Sequence, residues 1–126
     1  ANSASCQGGS PLAVSPAEAL FIALKDGQTA SFLTTYFSSP ELRPDVFSLR
    51  WAIRTSSGWL WQVAIIEKSS FLRNPTPFLK VAHLIIDAAN GKIQERWFLG
   101  NILFEEYREF LRSLRARREG CRARKR

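Results

Sequence analysis

The chain offers one histidine, two cysteines and eleven carboxylates from which chemistry could be built. His83 stands between Ala82 and Leu84 in an apolar run, with no cysteine or second histidine close by. A zinc site would then need distant carboxylates, so the ordinary reading of His83 is a polar position lining a sheet. By strand alternation and pairing, His83, Asp87 and Arg96 can share one face of a hairpin. That patch reads either as solvated decoration or as a partner- or ligand-binding site. Cys6 and Cys121 lie near opposite ends. Paired, they would close a long loop worth about 4–5 kcal/mol on the chain-entropy account. The plainer reading is two unpaired thiols in the tails.

The signatures of nucleophilic and phosphate chemistry are missing. There is no Gly-x-Ser-x-Gly and no Gly-x-x-x-x-Gly-Lys, and both cysteines are far in sequence from the histidine. Glu95 is a single carboxylate where acid–base hydrolysis wants two groups. The expectation is a protein that is not an enzyme, with no metal and no cofactor.

Charge is distributed unevenly. Residues 1–107 carry nine basic and nine acidic side chains, whereas residues 108–126 carry nine basic against two acidic and hold the whole net charge of +7. Any electrostatic steering belongs to the end of the chain. Arg115, Arg117, Arg118, Arg122, Arg124, Lys125 and Arg126 are the candidate contacts to an anionic surface: nucleic acid, acidic lipid or cell-wall polymer. A solvated helix end is the simpler alternative.

These residues must be positioned by about one domain's worth of chain, 126 residues with 45% hydrophobic content. Residues 1–14, small and polar, are expected to be a flexible segment, residues 15–114 a single α+β domain, and residues 115–126 a basic tail. The chain starts at Ala1 and lacks methionine. That points to a processed form or a piece of something longer, and the composition of residues 1–12 suits the stretch after a removed export signal. The expected location is secreted or extracytoplasmic.

Ser15, Pro16 and Glu18 form the signature of a capping box, followed by an apolar face of Ala17, Leu20, Phe21 and Leu24, with Gly27 as the stop. A second short helix fits residues 29–37 through Phe32, Leu33, Tyr36 and Phe37. From Val46 the period becomes two, with Phe47, Leu49, Trp51 and Ile53 alternating with Ser48, Arg50, Ala52 and Arg54, which predicts a strand with one buried and one wetter face. For the next strand, the apolar pattern favours a three-residue loop at 56–58 that pairs Ile53 with Trp61, Trp51 with Val63 and Leu49 with Ile65. Residues 67–78, with two prolines, are expected to be a loop. Residues 79–86, apolar on both faces, belong inside the sheet and enter a hairpin that turns at Asn90 and Gly91. Asn101 can cap a final helix with a stripe of Leu103, Tyr107, Phe110, Leu111 and Leu114, and Glu105 and Glu106 suit its first turns. The fold expected is α+β: one or two N-terminal helices and a C-terminal helix packed on a four-stranded antiparallel curved sheet.

Four tryptophans raise the question of a stacking platform for single-stranded nucleic acid, but such platforms want surrounding cations and the body is neutral. Trp51, Trp61 and Trp97 therefore read as core, and Trp59 as the one expected at the surface. With Phe71 and Phe78 it could edge a partner-binding groove.

The order of helix and meander, with the late hairpin residues Ile85, Asp87, Gly91 and Ile93, resembles the PepSY domain over about residues 15–98. The second helix, the proline-bearing loop and the basic C-terminal helix depart from that pattern. The resemblance implies a bacterial extracytoplasmic module that binds or restrains other proteins rather than catalysing. Cystatin-like and nuclear-transport-factor-like folds share the architecture, but a cystatin-type inhibitor wants Gln-x-Val-x-Gly, and Trp61-Gln62-Val63-Ala64 lacks the glycine. The functional expectation is a non-enzymatic protein-binding or regulatory domain, inhibitory action included, with Trp59, Phe71, Phe78, His83, Asp87 and Arg96 as candidate contacts. The alternatives are an anionic-polymer binder acting through the tail and a small hydrolase or ligand-binding site around His83, Asp87 and Arg96.

Overall fold

A computed structural model describes residues 12–37, 45–56, 58–71 and 74–118. The capping box forms as the sequence signature requires. Ser15 Oγ accepts from Glu18 N at 3.1 Å and Glu18 Oε1 accepts from Ser15 N at 2.8 Å, opening α1 (Pro16–Lys25). Asp26 then ends α1 and caps α2 (Gly27–Tyr36), its carboxylate accepting from Thr29 N. Gly27 thus opens the second helix instead of stopping the first. The buried face of α1 is Ala19 and Ala23, with Leu20 and Ile22 half-buried, not the expected Ala17, Phe21 and Leu24, which are exposed. Small residues let the helix axis approach the sheet closely, and that close approach selects the alanine side.

Four strands follow, β1 (Asp45–Thr55), β2 (Gly58–Phe71), β3 (Asn74–Asp87) and β4 (Ile93–Leu103), antiparallel in the order β1-β2-β3-β4. The chain ends its described part in α3 (Phe104–Arg118). The α+β class and the interior position of β3 are as expected. The register between β1 and β2 is not: Trp61 lies opposite Ala52, Val63 opposite Arg50 and Ile65 opposite Ser48, with Thr55 paired to Gly58 across a two-residue turn. The inference from apolar alternation failed because it assumed one wet face, whereas this sheet is covered on both. On one side Trp61, Val63, Ile65, Ala82, Leu84 and Ile86 pack beneath α1 and α2. On the other, Ala64, Ile66, Leu79 and Val81 pack beneath Tyr107 of α3.

The expected loop at 67–78 is mostly strand, with β2 running to Phe71 and β3 beginning at Asn74. Ser69 pairs with Phe78 and Phe71 with Asn74, so Pro75 and Pro77 fall where the ladder skips. A residue without an N–H is tolerated there. Asn101 is no helix cap. It adopts a left-handed φ of 52° at an irregularity of β4 between the pairs Val81–Leu99 and Leu79–Ile102. Glu106 Oε1 instead reaches back to Leu103 N at 2.8 Å to begin α3. That helix continues past Leu114 to Arg118, so the boundary expected at 114 lies inside it.

Residues 12–14 belong to the fold rather than to a flexible segment. Ala13 N and Val14 N both donate to Ala88 O, and Trp61 Nε1 donates to Val14 O at 2.7 Å. The same turn carries Gly91 at φ +76°, where an added Cβ would come within 2.9 Å of Ile22 Cδ1. Gly91→Ala is expected to destabilise the chain by about 1–2 kcal/mol, read as a lower midpoint of urea unfolding, because a side chain there meets both left-handed strain and α1. An unchanged midpoint would contradict this packing.

Candidate functional site

His83 faces α3 from the middle of β3, opposite Trp97 on β4 and Ala64 on β2. It is fully buried. Its Nε2 lies 2.6 Å from Gln62 Oε1 and its Nδ1 3.0 Å from Tyr107 Oη. A neutral imidazole protonated on Nε2 satisfies both bonds, donating to the amide oxygen and accepting from the phenol. Trp51, Trp97, Tyr107 and Phe110 surround the ring, all four edge-on, with centroids 5.5 to 6.1 Å away. Burial pushes His83 down to about 4 and pushes the Tyr107 phenol up. Both ring nitrogens are occupied and the ring is neutral, so this histidine anchors α3 to the sheet and has neither the access nor the pKa of a general base at neutral pH. Gln62 and Tyr107 were not legible as its partners. The available signal was Gln62 itself, a single amide within the apolar run from Trp59 to Ile66.

The three residues expected to share a polar patch have three separate roles. A two-residue turn at Asn90 and Gly91 would set Arg96 opposite Ile85, on the His83 side. The actual connection spans residues 88–92, and β4 carries an extra residue at Gln94 between the pairs Ile86–Ile93 and Ile85–Glu95. Arg96 therefore lies opposite Leu84, on the α1–α2 side. The same bulge separates Ile93 from Glu95 and Trp97, which parity alone would place together. Arg96 forms a two-pronged pair with Asp26, Nε to Oδ2 at 3.0 Å and Nη2 to Oδ1 at 2.7 Å. That pairing, the largest influence, together with the Thr29 bonds, lowers Asp26 to about 2 against the opposing effect of burial. Asp87 folds the turn, its Oδ1 accepting from Ala89 N at 2.8 Å.

Trp59 is half-buried against the first core and lies beside the Arg54 guanidinium, 5.7 Å from its ring centroid. It is not the exposed edge of a groove shared with Phe71 and Phe78. Those residues sit at the far end of β2 and β3, roughly 33 to 40 Å away at about 3.3 Å per residue. The side chain of Phe71 lies outside the described residues, and Phe78 is half-buried. Trp51 and Trp97 are half-buried and Trp61 is buried. Of the basic tail, Arg115 is exposed on α3, and the backbones of Arg117 and Arg118 continue that helix. Arg122, Arg124, Lys125, Arg126, Cys6 and Cys121 lie outside the described residues.

A buried ion pair that the sequence did not announce joins Glu67 and Lys80 at 3.5 Å beneath the end of α2, where Lys80 Nζ also donates to Tyr36 O at 2.6 Å. Among the described strands, β1 carries the longest row of exposed apolar side chains. Phe47 and Leu49 point to the α3 side, yet α3 packs over β3 and β4 and leaves them 38% and 45% exposed. Val46, on the opposite side, is 53% exposed.

No protein-family model matches the chain, and no curated protein or solved structure matches it. Among the described residues no helix is long and apolar enough to cross a membrane.

The histidine cage makes stability depend on pH with a definite sign. The unfolded imidazole titrates near 6.5 and the folded one near 4, so the unfolded chain binds more protons between those values. Stability is fully present above pH 6.5 and falls as the pH drops through about 4, by about 3 kcal/mol at ~1.36 kcal/mol per pKa unit. A further loss follows below pH 3.8 as Asp26 is protonated towards about 2. Urea titrations from pH 7 to about pH 2 should show the first limb flattened in His83→Phe and the second retained. A first limb unchanged by the substitution would contradict the assignment.

Proposed function

We propose that the chain is a non-enzymatic protein-binding domain, extracytoplasmic and regulatory in the sense the PepSY resemblance implies, and that its partner docks on β1. The observation that carries this reading is the exposure of Phe47 and Leu49 on a marginal strand whose outer edge no described strand pairs. Apolar side chains beside unpaired backbone groups are the two ingredients of strand-addition recognition. The titratable groups support the same reading because they are committed elsewhere. His83 is enclosed by its aromatic cage, Asp26 and Arg96 pair with each other, and Asp87 bonds its own turn.

Selection from a display library of random peptides roughly twelve residues long tests the surface, since a strand-binding edge recognises short extended segments. Peptides enriched on the full chain are expected to bind Phe47→Ser/Leu49→Ser at least about tenfold more weakly, as two apolar side chains leave the interface. The variant should keep the parent's far-UV circular dichroism, because both residues are already exposed. Equal binding to parent and variant would place the surface elsewhere.

A further inference from the structure

The two margins of this sheet are built differently. Between β3 and β4 the register shifts twice, at Gln94 and around Gly100 and Asn101. Such bulges twist an edge and interrupt the row of groups that another strand could use. Between β1 and β2, eleven pairs run from Asp45–Lys68 to Thr55–Gly58 without a shift. In an antiparallel pair half of the backbone groups of each strand point away from the partner, so β1 presents a long regular row outward. Among the described residues β1 is the margin left in a form that can accept a strand.

The side chains of β1 state what that strand should contain. Phe47 and Leu49 project on the α3 side and Arg50 and Arg54 on the α1–α2 side, all four exposed. Residues directly opposite in neighbouring strands project on the same side and interact there. A strand laid beside β1 would bring its alternate residues against Phe47 and Leu49 and its intervening residues against Arg50 and Arg54. Apolar residues suit the first set and carboxylates the second. A second copy of this chain suits the first set but not the second. Antiparallel pairing of β1 with itself would gather Arg50 and Arg54 from both copies on one side of a continuous sheet, and facing like charges are destabilising. Arginines on an edge strand are a known guard against self-pairing.

We propose that β1 accepts, as a fifth strand, an extended segment of a partner protein in which apolar and acidic residues alternate. This rests on the reading of β1 as the docking surface and names the chemistry of the segment it takes. The probes are capped peptides about eight residues long, a length that spans the exposed part of β1, alternating Val–Glu, Val–Lys or Ser–Glu. Each is added to the full chain while binding is followed by fluorescence anisotropy and the β1 amides by hydrogen exchange. The Ser–Glu peptide reports any attraction to the basic tail alone.

The expected result is that Val–Glu binds at least about tenfold more tightly than either other peptide and slows exchange at alternate β1 amides. Arg50→Glu/Arg54→Glu, with the tail intact, should transfer the preference to Val–Lys. If Val–Glu and Val–Lys bind equally and both protect β1, the acidic class is wrong and the docking surface stands. If no peptide protects β1, both readings fall. Self-association that protects β1 as concentration rises would make a second copy the occupant and overturn the proposal.

Discussion

The sheet has two faces to bury and an unequal supply of helix with which to bury them. β2 and β3 sit at its centre and are apolar on both sides, so neither can be left wet. The α1–α2 pair covers one face, its alanines bringing α1 close and Phe32 stacking near Phe98 at a centroid distance of 5.1 Å. Among the described residues the other face has only α3, about 22 Å long at ~1.5 Å per residue, and α3 lies over β3 and β4. A four-stranded sheet is wider than one helix can cover. The uncovered remainder is β1, and the exposure of Phe47 and Leu49 follows from that shortage.

Polar groups fix how the coverings sit. His83 ties α3 to the sheet through Tyr107 and holds Gln62 beneath it, so the aromatic cage has one satisfied hydrogen-bonded chain at its centre. Arg96 ties the α1–α2 junction to β4 through Asp26, and Lys80 ties the end of α2 to β3. Each of these contacts fixes the position of a helix on the sheet, so these buried and half-buried polar side chains serve the assembly of the fold.

Local signals were legible in the sequence and relative placement was not. The capping box at Ser15 and Glu18 and the two-sided apolarity of residues 79–86 depend on near neighbours and formed as read. The two-period run from Val46 formed a strand, but Phe47 and Leu49 of its expected buried face are exposed. The β1–β2 register depends on which faces are covered, a property of helices remote in sequence, so alternation chose a pairing one residue out. Arg96 was placed with His83 because nothing local marks the extra residue at Gln94 that moves it to the other side. The prolines at 75 and 77 suggested a loop, since a strand with a skipped ladder looks the same in sequence. The neutrality of residues 1–107 was informative: it drew attention away from the body as an electrostatic surface, and the exposed cations of β1 are local to one strand. His83 was correctly read as a polar position in the sheet, although its amide and phenol partners come from Gln62 and Tyr107, 21 and 24 residues away.

Residue-resolved amide hydrogen exchange on the full chain without any partner tests most directly whether β1 is a regular, unpaired margin. The β3 amides from Leu79 to Ile86 should be protected almost throughout, because strands flank both sides. Along β1, protection should alternate, slow at amides bonded to β2 and fast at those pointing outward. Continuous protection along β1 would mean that its outer edge is already paired, and would contradict the account.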